Sequence, residues 1–576
     1  MGTQPEAIDT GASVPQPGRF AASPWRRRAR LEALPVAVAG ALVAYLALVP
    51  LGYLLWKTFA GPGGLTLEHL RDAYGEAGLG STVRNSLWFA AGSSVIAVTS
   101  GAGLAFVLVR TDLRFKRLFF AGSLVPLILP GILYTIAWIL LASGRIGALR
   151  DLLPTGLDVF SMGGMMLVEG LHLSPLVFLL MAAAFSSADP ALEEAALMSG
   201  ARLRTVLRRI TLPLVRPALY AALLVMVVRA LESFEVPVLL GIPEGIWVFT
   251  SRIWRSLDTF PAQLDRAGAY SVSLLVITGL GVLLYSRVVS AGARHQTITG
   301  RGRQPRQIVL GRWRPPVLGL TAAYLLIASG LPLLMLVYAS TQRFYSAPSL
   351  TGLTGATLEN FGSLLGHEAT VRSFGNSLLL ATGTATVVMV AMSVAAWMVV
   401  RGRLPGRGIV DGLASLPLVI PGLVLGVALM FVYLRFPLPL YGTLWILFLA
   451  YFTRFMPYGM RYAVSAMHQI GLEQEEAARM SGASWSQAFR RVTLPLLLPG
   501  LLAGWLYVVI VAMRELASSI VLYSPGSEVL AVRIFVLYEG GQLPELAALG
   551  VVMVVVLACL AALAQRLGAR AGVWTE

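Results

Sequence analysis

Lysine is almost missing from this chain: Lys57 and Lys116 are the only two among 576 residues, and neither follows a glycine. A Walker A loop ending in Gly-Lys-Ser or Gly-Lys-Thr is therefore excluded, and with it P-loop ATP hydrolysis on this polypeptide. Cysteine is scarcer still. The single Cys559 rules out an internal disulfide, and within the last apolar run it is expected to be a small packing residue. The five histidines, His69, His172, His295, His367 and His468, never stand four apart, which removes a zincin-type metal pair. Charge of either sign is also thin, at 13% of residues.

Apolar residues fill the space, at 56% of the chain and a mean hydropathy of +0.74, so the solvent for most of this protein is lipid. Runs of about 20 apolar residues cross the roughly 30 Å hydrocarbon layer as helices. Spans are expected near 34–56, 86–109, 118–142, 161–185, 213–232 and 268–286, and again near 316–340, 375–400, 409–434, 440–463, 495–514 and 545–565. The expected fold is an all-α integral membrane protein of about 12 transmembrane helices. Residues 1–33 are expected to form a disordered cytoplasmic tail, 34–286 a first six-helix half, 287–315 a basic linker, 316–567 a second half, and 568–576 a short cytoplasmic tail.

Arginines set the orientation. Arg110, Arg114 and Arg117, with Lys116, follow the second span; Arg287, Arg294, Arg301, Arg303, Arg306, Arg312 and Arg314 fill the join; Arg401, Arg403 and Arg407 follow the eighth. All fall on one side if the N-terminus is inside, as the positive-inside rule requires. The formal charge of +16 then follows from topology, and no nucleic-acid partner is needed to account for it.

Glu193 to Leu219 reads EEAALMSGARLRTVLRRITLPLVRPAL, and Glu475 to Leu501 reads EEAARMSGASWSQAFRRVTLPLLLPGL, identical at 16 of 27 aligned positions. An internal period of this kind divides the chain into two homologous halves. Each copy falls between the fourth and fifth spans of its half, so both face the cytoplasm, and the halves are parallel repeats about an axis along the membrane normal. Asp189 and Pro190 suit an N-cap and a first helical position, with Glu193 and Glu194 where the helix dipole favours acids. Gly200 then interrupts, and a second amphipathic segment carries Arg204, Arg208 and Arg209 to Leu212-Pro213. Two short helices bent at a glycine are expected. Glu476, Gly482, Arg490, Arg491, Leu494 and Pro495 repeat the spacing. A solvated loop helix would explain one copy; two copies on one face, with small alanines at the front, read as docking helices for a pair of identical soluble partners.

These residues resemble the coupling-loop motif of binding-protein-dependent ABC import permeases. Glu194, Ala195, Ala196, Gly200, Ile210, Leu212 and Pro213 match it throughout; Glu476, Ala477, Ala478, Gly482, Leu494 and Pro495 match with Val492 in place of Ile. The resemblance implies a type I importer permease of two parallel six-helix repeats in the bacterial inner membrane, both termini cytoplasmic. It also implies two copies of an ABC ATP-binding subunit, one docked on each loop around Glu193 and Glu475, and an extracytoplasmic substrate-binding protein. ATP and Mg would sit on the ATPase, leaving this chain without a cofactor of its own. Fusion of both halves resembles the ferric-iron permeases and their relatives for thiamine, polyamines and phosphonates. The segments Leu231 to Pro237 with Leu240-Gly241, and Arg514-Glu515-Leu516 with Leu530 to Arg533, look most like the iron branch.

Ionisable groups in or near spans cost roughly 2.5 to 3.5 kcal/mol each at the bilayer centre unless partnered. Glu169, His172, Arg229, Glu232, Glu235, Arg454, Arg514 and Glu515 are the candidates to face a pathway or each other. Glu232, Glu235 and Glu515 could offer hard oxygen atoms to a trivalent cation. The competing reading is interhelical pairing, with Arg229 and Arg514 satisfying the acids. Pro126, Pro130 and Gly131 recur as Pro417, Pro421 and Gly422, which predicts matched kinks. An ion-coupled secondary transporter would use the same midplane acids without an ATPase. A membrane enzyme has no nucleophile, metal cluster or acid pair to support it.

Overall fold

The computed structural model describes residues 24–61, 64–75, 78–150, 158–187, 190–293, 307–401, 407–434 and 439–570. Asp189, Arg294, Arg301, Arg303, Arg306 and Arg403 lie outside these residues, as does most of both tails. The chain is a helical array. Nine helices among the described residues are long and apolar enough to cross a membrane, eleven if each of two sharply bent pairs is one span. Leu48, Trp56, Trp88, Leu283, Leu320 and Val390 are exposed on this array, as lipid-facing side chains are.

In the first half, α1 (Pro24–Phe59) leads to α2 (Leu79–Arg110), α3 (Met162–Ser187), α4 (Pro190–Met198), α5 (Leu212–Glu232), α6 (Phe249–Asp258) and α7 (Leu264–Ala293). In the second, α8 (Glu368–Arg401), α9 (Leu444–His468), α10 (Leu472–Met480), α11 (Leu494–Met513), α12 (Leu530–Glu539) and α13 (Leu543–Arg570) follow the span Gly311–Ser340. α1 starts ten residues inside the expected tail, because Pro24 suits a first helical position and the arginines after it are good helix formers. α9 occupies the tenth expected span at 25 residues, but Arg454 and Arg461 interrupt its apolar run, so it is not among the nine.

The paired glycines and prolines do break spans. Lys116–Ile128 meets Gly131–Ala142 at 101°, and Gly408–Val419 meets Gly422–Tyr433 at 106°. Proline lacks the amide that would continue the helical ladder, and Pro130 and Pro421 each stand just before the second limb. α2 packs along α3, and α8 along α9. The first pair approaches so closely that a Cβ on Gly101 would lie 2.5 Å from the Ser174 carbonyl oxygen, the small-residue contact expected between helices in lipid. Before each pair a short helix follows a threonine turn: Thr66 Oγ1 accepts from the Glu68 amide at 3.1 Å, and Thr357 Oγ1 from the Glu359 amide at 3.2 Å.

α6 and α12 are anchored by equivalent bonds. Ser86 Oγ on α2 accepts from the Phe249 amide at 3.1 Å, and Ser377 Oγ on α8 accepts from the Leu530 amide at 2.7 Å. Cys559, expected to be packed, is exposed on α13.

Candidate functional site

α4 and α10 lie between the expected fourth and fifth spans of their halves, and both end in the same turn. Gly200 has φ +83° and Gly482 φ +89°, the left-handed conformation that glycine adopts without a Cβ penalty. The Ala201 amide donates to the Ala196 carbonyl at 3.0 Å, and the Ala483 amide to the Ala478 carbonyl at 3.1 Å. In the first copy the Gly200 amide also reaches the Leu197 carbonyl at 2.9 Å, completing a Schellman cap. The two alanines of each copy thus have separate roles: Ala195 and Ala477 are exposed, whereas Ala196 and Ala478 supply the capping carbonyl.

The expected second short helix is not a separate element. Leu203–Val206 runs through a π turn, Leu207–Thr211, into α5, and Phe489–Thr493 does the same before α11. A proline ring clashes with the carbonyl four residues back, so Pro213 and Pro495 disfavour a tight turn at Arg209 and Arg491, and the wider π turn relieves this. Ile210 and Val492 are half-buried on it, and Leu212 and Leu494 open the spans.

Glu193 and Glu475 were expected on the docking face, but both are buried. Glu193 is ion-paired to Arg110, the last residue of α2, and accepts from Thr211 Oγ1 at 2.7 Å. The exposed face of each element is instead Glu194, Ala195 and Met198, and Glu476, Ala477 and Met480; both methionines are 89% exposed. Helix phase explains this, since residues i and i+1 in one turn point about 100° apart.

The join contributes an element the sequence did not signal. Ile308 pairs in parallel with Thr111: its amide donates to the Arg110 carbonyl at 2.7 Å, and its carbonyl accepts from the Asp112 amide at 3.1 Å. Asp112 caps this contact by accepting from the Leu310 amide at 2.9 Å and pairing with Arg314. The Leu310 amide first, and then Arg314, hold the Asp112 carboxyl below the usual carboxylate range.

The intramembrane charges divide into partnered and unpartnered groups. Arg229 lies 3.5 Å from Glu232 and donates to Tyr458 Oη at 3.0 Å, crossing from the first half to the second. Arg514 was expected to satisfy an acid, but it bonds the Leu127 carbonyl at the first kink; Arg454 pairs with Glu515 at 2.9 Å instead. Proximity decides this, since Arg454 lies on α9 against the second kink, where a Cβ on Gly422 would sit 2.7 Å from its Nη1. Glu169 is buried and accepts from Ser233 Oγ at 2.9 Å, and His172 stacks beside Tyr134 with centroids 5.0 Å apart. Glu235 differs. It is half-buried, no ion pair reaches it among the described residues, and its carboxyl carbon lies 3.3 Å from where a Cβ on Gly131 would stand.

Beyond these charges, Trp254 of α6 meets Phe535 of α12 edge-on at 5.7 Å, with Phe234 5.8 Å from Trp254. At the ends of the same helices, burial and then the neighbouring Asp258 raise the Glu539 carboxyl above its usual range. Neither feature shows in the sequence, because their partners lie in opposite halves. No group of three metal-ligating side chains occurs among the described residues.

A family model for the inner membrane component of binding-protein-dependent transport systems matches residues 388–571. The ferric transport system permease protein FbpB of Actinobacillus pleuropneumoniae is 24% identical over 507 residues, covering 85% of this chain and 71% of that protein. The Fe(3+)-transport system permease protein FbpB 2 of Haemophilus influenzae is 23% identical over 443 residues, covering 76% and 80%. The putrescine transport system permease protein PotI of Escherichia coli K12 is 28% identical over 269 residues, 46% of this chain and 93% of its own length.

Proposed function

We propose that this chain, an ABC-importer permease by its relatives and its membrane-crossing helices, translocates ferric iron delivered by an extracytoplasmic binding protein. The doubled coupling element, with its matched glycine turns, buried glutamates and exposed Glu-Ala-Met faces, carries the permease reading, and the ferric relatives favour the cargo. With the N-terminus inside, α4 and α10 lie in the cytoplasm, and each seats in one of two copies of an ATP-binding subunit that holds ATP and Mg.

Displacement of α4 by the ATPase reaches the membrane by two routes. One runs through Glu193 and Arg110 into α2, and the other through the π turn into α5, whose far end holds Glu232. The acids differ in what they offer a passing cation. Glu232 and Glu515 are neutralised by Arg229 and Arg454, so Glu235 supplies the free hard oxygens beside the first kink. Glu169 and His172 pack and position the helices around it.

Uptake of radiolabelled ferric iron in iron-starved cells tests the cargo. Loss on deletion, rescue by the intact gene and failure of the Glu235→Gln gene are expected. A polyamine is the second reading, favoured by the 28% identity to a putrescine permease. Radiolabelled putrescine uptake that falls on deletion while ferric uptake stays unchanged would replace iron with that cargo.

A further inference from the structure

The first coupling element carries Arg204 and Arg216 where the second has Ser486 and Leu498. Arg204, Thr205, Arg208 and Arg209 line an open cleft of about 540 Å³. All four are exposed on one side of the segment, at positions i, i+1, i+4 and i+5, while Val206 and Thr211 turn inward. Among the described residues no carboxylate is ion-paired to any of these three arginines. The cleft also sits at a defined depth. Leu212, Leu214 and Tyr220, which follow it on α5, are 43%, 46% and 53% exposed, with exposed Arg216 among them. Basic side chains directly preceding a lipid-facing flank lie at headgroup level.

We propose that this cleft binds the phosphate of an anionic phospholipid in the cytoplasmic leaflet, with the guanidinium forks of Arg204, Arg208 and Arg209 and the Thr205 hydroxyl as donors. The inference rests on the docking of two identical ATP-binding subunits proposed above. An identical pair meets both copies alike, yet the second copy has Ser486, Gln487, Arg490 and Arg491 at the matching places, and Leu498 opposite Arg216. Arg208 and Arg209 recur as Arg490 and Arg491, but Arg204 and Arg216 do not, and this added charge of the first copy answers to a ligand that is not duplicated. An exposed arginine cleft without carboxylates, opening at headgroup level, fits a lipid phosphate.

The test uses the full chain, co-expressed with its ATP-binding subunit and purified in detergent, and measures retention of labelled phosphatidylglycerol against labelled phosphatidylcholine. Preferential retention of phosphatidylglycerol is expected, falling about fivefold for each arginine removed in the Arg204→Gln, Arg208→Gln, Arg209→Gln series. A second variant, R204S with R216L, carries residues that the second copy already tolerates, so it keeps the fold and should lose most of the preference while still co-purifying the ATPase. Equal retention of both lipids, or unchanged retention in the variants, overturns the proposal. Displacement of the lipid by millimolar inorganic phosphate would overturn the lipid source in favour of a free anion. Loss of the ATPase together with the lipid in R204S/R216L would assign the arginines to docking and overturn it as well. Absence of the ATPase from the wild-type preparation would sink the docking reading alone, leaving the lipid ratio to decide the cleft.

Discussion

Arg110 and Arg401 end equivalent helices, α2 and α8, yet they hold different things. Arg110 is fully buried and pairs with Glu193 of α4, whereas Arg401 donates to the carbonyls of Met467 and Ile470 at the end of α9. Glu475 is buried at the matching place, but no ion pair reaches it among the described residues. The first half has a further tie in the strand contact between Ile308 and Thr111. α4 is therefore clamped to α2 by a desolvated charge pair, beside which the join docks at Thr111, and α10 has no such ion pair among the described residues. The same backbone turn can be anchored strongly or weakly while its exposed face stays the same.

Breaking the clamp should have the largest effect. Arg110→Ala leaves the Glu193 carboxylate buried without its partner, at a cost of about 3–5 kcal/mol. Arg401→Ala removes hydrogen bonds to two carbonyls, at about 2 kcal/mol. Thermal unfolding of the two variants in detergent should show the larger loss for Arg110, and hydrogen exchange should rise at α4 far more than at α10. Equal losses would remove the asymmetry.

Glycine substitutions probe what the two turns share. Nothing lies within 4 Å of a Cβ built on Gly200 or Gly482, so Gly200→Ala and Gly482→Ala should each cost only the left-handed backbone penalty, about 1–2 kcal/mol. The two losses should be alike in unfolding measurements, because the turns are alike. Thr211→Val deletes one bond to Glu193 and should cost about 1 kcal/mol, visible as faster exchange at α4 alone.

The smallest effect expected is at the linker. Asp112→Asn should free Ile308 to exchange its amide while leaving α10 unchanged. Since the Asp112 carboxyl is held below the usual carboxylate range, its contribution is complete at neutral pH and is lost only as pH falls through the lowered value, below the ordinary carboxylate pKa of about 3.9. Protection of the Ile308 amide, after correction for the intrinsic pH dependence of exchange, should therefore be unchanged between pH 7 and pH 5.

Much of this arrangement was legible in sequence. The repeat placed α4 and α10, the glycines placed their turns, and Pro130-Gly131 with Pro421-Gly422 placed both bends, because each feature depends on local backbone chemistry. Partnership was not legible. Arg110 and Glu193 are 83 residues apart, Arg229 and Tyr458 are 229 apart, and no local rule says which of two adjacent glutamates points inward. Arg514 was misassigned for the same reason: its partner is a carbonyl freed at a helix break, which composition does not reveal.

The two-site docking of the ATP-binding subunit is tested by native mass spectrometry of the co-purified complex, which counts the subunits. Two subunits per chain are predicted for the wild type, one for Glu194→Lys, one for Glu476→Lys, and none for the double variant. Two subunits retained in the double variant would contradict it.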